Sequence, residues 1–442
     1  MNTQSSAKTS VSDLLNTALR MEDSPPCHVL TSLTPAATSA NSAHMKNVIC
    51  LSLLFSVALA VNSGAADWPN FRGPDHNGIS KEKGWSTQWP ANGPKQLWKA
   101  KVGKGFASFA VSNGRVYTTG NTDDTDQVFC FDANTGKEIW KYSYSAKLDP
   151  KYYEGGTSAT PTVDGDRVYT LSKQGLLHCL DAAKGTVVWS KKLTDELKAE
   201  MPTWGFAGSV LIEGDLAILN VGSAGAVLEK KTGKVVWSSG TDASGYSTPV
   251  PINAAGERAV MLALKDTVAA VKVKDGKELW RFPWKTQHDV NAAVPILNGS
   301  HLFISSGYNH GAGLFDISAQ PPKELWQNKS MRNQMASSIL LDGHIYGIDD
   351  NQLRCLVFET GEVKWTDKVS GKGSLMMADG KLIVLSEAGE LLVADATPTG
   401  FKPISRVQIL SKICWAAPVL ANGKIYARNG GGDVVCVDVS GK

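Results

Sequence analysis

The stretch FCFDANTGKEIW, residues 129–140, decides the fold. Apolar residues alternate into Asp132, the turn D-A-N-T-G follows, and a second alternating stretch ends on Trp140. Asp and Thr side chains can bond turn amides and Gly136 tolerates a left-handed backbone, so the phrase reads as a β-hairpin. It returns as HCLDAAKGTVVW at 178–189, LEKKTGKVVW at 228–237, VKVKDGKELW at 271–280 and VFETGEVKW at 357–365. Trp98, Trp140, Trp189, Trp237, Trp280, Trp326 and Trp365 stand 39 to 49 residues apart. That period is the length of one four-stranded propeller blade.

A second phrase precedes each hairpin: small residues, a Pro or aliphatic, a turn, then an apolar strand, as in SATPTVDGDRVYTLS and AAPVLANGKIYARN. Small residues suit the strand nearest the axis, where blades crowd. Eight inner strands are predicted, beginning near Phe106, Gly156, Trp204, Gly245, Asn291, Met335, Gly373 and Trp415. The last repeat supplies three strands and stops. Its fourth is available in QLWKAKV, residues 96–102, so pairing of the chain ends closes the ring and removes its open edges. The expected fold is therefore an all-β, eight-bladed propeller of four-stranded antiparallel blades docked by tryptophans and occupying residues 95–442, with 67–94 packed on it. Blade 7, FKPISRVQIL, has no Trp, so one docking site is expected to be lost.

Bulk composition agrees. The 442 residues include 42 Gly and 13 Trp with 20% charge, which suits short strands and tight turns. A net charge of +3, with no Lys/Arg run, excludes a nucleic-acid footprint. Met45-Lys46, the apolar VICLSLLFSVALAV and the small residues NSGAA read as a signal peptide over 45–66. Cleavage near Ala66 would leave no transmembrane segment and a periplasmic or otherwise extracytoplasmic protein. Residues 1–44, rich in Ser, Thr, Ala and Pro, read as a disordered or misassigned extension.

These phrases resemble the pyrroloquinoline-quinone (PQQ) repeat, A-x-D-x-x-T-G-x-x-x-W, in which the Trp docks one blade on the next. The resemblance covers residues 95–442 and implies the fold. It does not choose an activity, because quinoprotein dehydrogenases share the repeat with non-enzymatic propellers similar to the outer-membrane assembly factor BamB. DWPNFRGPDHNGIS, residues 67–80, is similar to the opening of exported planctomycete-type PQQ-like propellers.

In the resembling dehydrogenases an adjacent pair of cysteines closes on the quinone. No two of the seven cysteines here are adjacent, and no C-x-x-C-H is present to attach a haem. Cys130, Cys179, Cys355 and Cys436 share one third-strand position, too far apart for disulfides, and read as buried space-fillers. Residues just ahead of the inner strands should face one mouth of the central funnel: Glu154, Trp204, Tyr246, His288, Asp289, Asn291, Arg332, Asn333, Lys412 and Trp415. An enzyme reading takes Asp289 as base, Glu154 and Asp289 as metal ligands, and Trp204, Arg332 and Trp415 as cofactor contacts. His288-Asp289 as sequence neighbours would point apart on an extended segment. NTDDTDQ, residues 121–127, lacks the Gly and later Glu of a calcium loop and reads as a solvated hairpin tip.

The leading expectation is a non-catalytic exported scaffold, without a cofactor, that binds an envelope protein, peptide or surface polymer as a monomer or within a larger complex. The alternative is a PQQ- and Ca²⁺-dependent alcohol or sugar dehydrogenase. A third reading is a glycan module using Trp68, Trp204 and Trp415 as exposed platforms.

Overall fold

A computed structural model describes residues 66–441 except 152, 255 and 369. The extension expected at 1–44, and all but the last residue of the signal peptide expected at 45–66, lie outside the described residues. Eight antiparallel sheets succeed one another along the chain. Blade 1 runs Ala110–Ser112, Arg115–Thr122, Thr125–Asp132, Glu138–Ser145. Blades 2 to 7 repeat this meander. Blade 8 combines Val419–Ala421, Lys424–Arg428 and Asp433–Asp438 with Gln96–Lys101, which pairs antiparallel to the last of these. Chain start and chain end thus share one sheet. Buried Arg428 spans this closure, donating to the carbonyls of Gly103, Ala107 and Thr119.

The inner strands begin later than expected, at Ala110, Thr162, Leu211, Val250, Ile296, Ile339, Ser374 and Val419. Near the axis several amides leave the ladder for a hydroxyl of the next blade. Ser108 N donates to Thr160 Oγ1, Thr160 N to Ser209 Oγ, Ser209 N to Thr248 Oγ1 and Val294 N to Ser337 Oγ, all at 2.9–3.0 Å. Those segments line the channel instead of extending the sheets.

Between blades, the indole N–H of Trp98, Trp140, Trp189, Trp237, Trp326 and Trp365 donates to the carbonyls of Ala133, Ala182, Lys230, Val273, Phe358 and Thr397 of the following blade. The turn glycine has a second duty beyond its positive φ. A Cβ on Gly185 would lie 2.5 Å from the Trp140 ring, and one on Gly136 2.6 Å from Trp98. The T-G of one blade is therefore the seat for the tryptophan of the blade before it. Trp280 makes no such bond among the described residues. The hairpin it faces, DISAQPPKELW at 316–326, has no glycine, and Trp280 stacks on Phe282 at 5.9 Å.

Blade 7 corrects the expected loss of a docking site. Ser405 stands at the tryptophan position, opposite Val393. Residues 85–89 occupy the vacated seat: Ser86 N donates to Val439 O at 2.7 Å, the carbonyl equivalent to Ala133 O, and Trp89 N donates to Ser405 Oγ at 3.0 Å. Trp85 is buried in the blade 7–8 core. The N-terminal segment supplies in trans-blade fashion what the repeat lacks.

Each repeated cysteine lies in a cross-strand row between a tyrosine and the docking tryptophan, as in Tyr117–Cys130–Trp140 and Tyr169–Cys179–Trp189. The small side chain leaves both rings room to meet at 5.9–6.1 Å. Burial pushes the Cys130, Cys179 and Cys355 thiols up to about 11 and the Cys414 and Cys436 thiols to about 12. All five are free. A thiol reagent should find them unreactive in the folded mature chain and count five after denaturation without reductant. A count of three would mean a disulfide.

Candidate functional site

Residues 67–80 cross the channel on the side of the first hairpin turns and form a floor. Trp68 bridges antiparallel to Val111 in blade 1, Pro69 O accepts from Val163 N in blade 2, and Phe71 packs on the blade 4–5 core. Arg72 reaches blade 6, its Nη2 donating to Ser338 O at 2.8 Å, while Ile79–Ser80 pairs parallel with Met377 and Ala378 in blade 7. The main-chain bonds are strand-like, yet the segment has no apolar period by which sequence could mark it.

Above this floor is a cavity of about 310 Å³. An aromatic arc walls it across six blades. Trp415 stacks on Phe106 (4.9 Å, 27°), Phe106 meets Tyr153 at 5.8 Å, and Tyr153 meets Trp204 at 6.2 Å. Tyr246 Oη accepts from Trp204 N at 3.3 Å, and Tyr308 continues the lining. Trp415 is fixed by Glu387, which accepts from its Nε1 at 2.9 Å. Tyr153 is fixed by buried Lys173, whose Nζ donates to its Oη at 3.1 Å.

The sequence candidates divide. Trp204, Tyr246 and Trp415 line the cavity together. Asn291 and Asn333 do not face the mouth; they are 1% exposed and donate to Leu264 O and Trp284 O, and to Ile348 O, tying loops together. Arg332 clamps the fully buried Asp349 through Nε and Nη2 at 2.7 and 2.8 Å, and Arg354 adds a third contact at 2.8 Å. Asp289 sits at φ +55°, 3.8 Å from Lys265, and Lys412 is exposed. His288 is exposed and meets Tyr308 edge-on at 4.8 Å. Glu154 is half-buried, and its Oε2 has no hydrogen-bond partner among the described residues. Trp68, expected as an exposed platform, is 3% exposed because its main chain pairs with Val111 and its ring lies on Gly73. Sequence reading missed Phe106, Tyr153, Tyr308 and Arg72. Phe106 and Tyr153 stand in the same pre-strand positions as Trp204, a signal that was available; Tyr308 lies in the turn between the second and third strands of blade 5, and neither it nor Arg72 had such a signal.

A calcium-bound quinone needs a stacking wall and a cluster of oxygen ligands. The wall is present, but the residues do not fit the rest. Among the described residues no three His, Cys, Asp or Glu side chains converge. Glu154, Asp289 and Arg332 lie outside the cavity lining, and Arg332 is held by Asp349. The arrangement can stack, exclude water and donate hydrogen bonds, and among the described residues its lining holds no paired acid and base.

The acidic loop at 121–127 splits its carboxylates between solvent and interior. Asp123 and Asp124 form its exposed tip, while Asn121 Nδ2 donates inward to Asp126 at 2.7 Å. Burial raises the Asp126 carboxyl to about 6 and lowers neighbouring His178 to about 4, Tyr144 lying between them. Asp126 titrates higher folded than unfolded, so its contribution is full below about pH 4 and is lost as pH rises to 6. His178 titrates lower folded than unfolded, so its contribution is full above about pH 6.5 and is lost as pH falls to 4. Each amounts to about 3 kcal/mol and they oppose. Asp126→Asn should therefore unmask the histidine: urea midpoints of the variant should rise from pH 4 to 6.5 more steeply than those of the natural chain. Parallel profiles would refute the pairing.

The family model for outer membrane protein assembly factor BamB matches residues 83–159, 147–367 and 264–442. The chain belongs to this family. BamB of Escherichia coli K12 is 24% identical over 367 residues, covering 67% of this chain and 87% of that protein. Among solved structures, BamB from Moraxella catarrhalis superimposes with a TM-score of 0.58 at 16% identity, covering 78% of this chain and 97% of that one. A europium-containing methanol dehydrogenase reaches 0.63 at 12% identity, covering 82% and 89%. The two structural likenesses carry the propeller alone. This BamB-family chain has, among its described residues, no helix long and apolar enough to cross a membrane.

Proposed function

We propose that this BamB-family chain is an exported, non-catalytic scaffold that binds an envelope protein or peptide through its funnel and the loops around it. The observation that carries the reading is the funnel, walled by aromatics from six blades and furnished with hydrogen-bond donors but, among the described residues, with no converging acid, base or metal set. Rigid aromatic side chains give contact area at low conformational cost, which suits recognition. The family's namesake, an outer membrane protein assembly factor, points the same way, and a site held by eight blades is pre-organised for a partner. The test is co-purification from envelope extracts of the native bacterium, using the natural chain and Trp415→Ala. The natural chain should enrich one partner, and the variant should lose it while its melting curve is unchanged. Equal recovery by both would move binding off the funnel.

A further inference from the structure

The funnel is floored by residues 67–80 and is asymmetric in its polarity. Residues 67–80 lie across the channel, bonded to blades 1, 2, 6 and 7, so an occupant entering from the other mouth meets them end-on. Among the described residues the lining includes two cations, Arg72 and Lys151, and no carboxylate. Lys151 is answered at the rim by Asp149 at 3.4 Å. Arg72 is not answered. It is 8% exposed, its Nε and Nη2 hold the carbonyls of His76, Asn77 and Ser338, and its Nη1 makes no hydrogen bond among the described residues. Burial without an acid lowers its pKa to about 10.

The same cavity is lined by four hydroxyls that are each more than nine-tenths buried: Thr160, Ser209, Thr248 and Ser337. Each accepts a main-chain N–H from the neighbouring blade, and none donates its own proton to another described residue. The floor therefore offers a fixed guanidinium and free O–H donors to whatever enters, while the wall offers stacked rings.

We propose that the funnel captures the carboxyl-terminal end of a peptide, its terminal carboxylate on Arg72 and the hydroxyl ring and its apolar last side chain against the aromatic arc. A chain's amino terminus would bring a cation to a cation and is excluded. Charge-assisted bonds to a pre-positioned guanidinium are among the stronger polar contacts, and they supply the direction of insertion.

This inference rests on the funnel reading above, and titration separates the two. An N-acetylated tripeptide ending in Phe, with a free carboxylate, is compared with its terminal amide on the mature natural chain by calorimetry. The acid should bind about tenfold or more tightly than the amide. Arg72→Lys should retain part of that preference and Arg72→Gln abolish it. If Arg72→Gln does not fold, the acid–amide pair on the natural chain still decides. Equal binding of acid and amide overturns the carboxylate while leaving a peptide-binding funnel. Binding of 3-phenylpropanoate without the tripeptide overturns the peptide end in favour of a small acid. No binding of either, with a partner still co-purifying through Trp415, overturns the inference alone.

Discussion

A mature chain started at Lys95 instead of Asp67 should lose roughly 6 kcal/mol or more of stability, if it remains soluble at all, because two buried tryptophans leave with the deleted segment. Trp68 is 3% exposed and Trp85 7%, both within the core cluster that joins blades 7, 8 and 1. Deletion also strips the amide that bonds Val439 O, the strand that pairs with Met377 and Ala378, and Glu82, which accepts from Gly423 N at 2.7 Å. The full chain carrying Trp68→Ala and Trp85→Ala is the control. Its urea midpoint should fall nearly as far as that of the truncation, and a truncated chain that unfolds at the natural midpoint would show that the segment merely rests on the ring.

Trp140→Ala should cost about 3–5 kcal/mol as a large-to-small core change. The loss is one of packing more than of hydrogen bonding. Ala182 O also accepts from Arg115 Nη1 at 2.6 Å and Tyr117 Oη at 3.4 Å, so removing the indole does not orphan it. Gly185→Ala adds two terms, a left-handed backbone worth about 1–2 kcal/mol and a clash with the Trp140 ring 2.5 Å away. In the Trp140→Ala background the clash has no partner and only the backbone term should survive. The double-mutant cycle is therefore non-additive, with the second substitution cheaper than the first predicts. Strict additivity would mean that the glycine is required for its φ alone and is not the seat.

What was legible in sequence was whatever repeats. The hairpin phrase fixes blade number, strand order and the docking tryptophans, because turn chemistry and alternation are local and recur. Closure by Trp98 was legible because one strand was missing at one end and spare at the other. FKPISRVQIL in blade 7, having no Trp, was read as a lost docking site, since nothing local says that Ser86, more than 300 residues earlier than Ser405, reaches the docking carbonyl of Val439. Half of the funnel was visible: Trp204, Tyr246 and Trp415 stand directly ahead of inner strands and do line it. Asn291 and Asn333 stand there too, but short amides can satisfy buried carbonyls and so turn inward. Arg72 was invisible because its role depends on the approach of Ser338, in blade 6, to a segment with no pattern of its own.

The scaffold reading and the dehydrogenase reading share a fold and differ in what the funnel holds. Of the residues an enzyme reading takes as cofactor contacts, Trp204 and Trp415 line the funnel but Arg332 is held away by Asp349, and among the described residues no three His, Cys, Asp or Glu side chains converge to hold a divalent cation. The most direct measurement is titration of the purified mature protein with PQQ in the presence of Ca²⁺, followed by dye reduction across alcohols and sugars. The account predicts no saturable stoichiometric binding that depends on Ca²⁺ and no substrate-dependent reduction. Tight one-to-one binding that requires Ca²⁺ and supports turnover would contradict it.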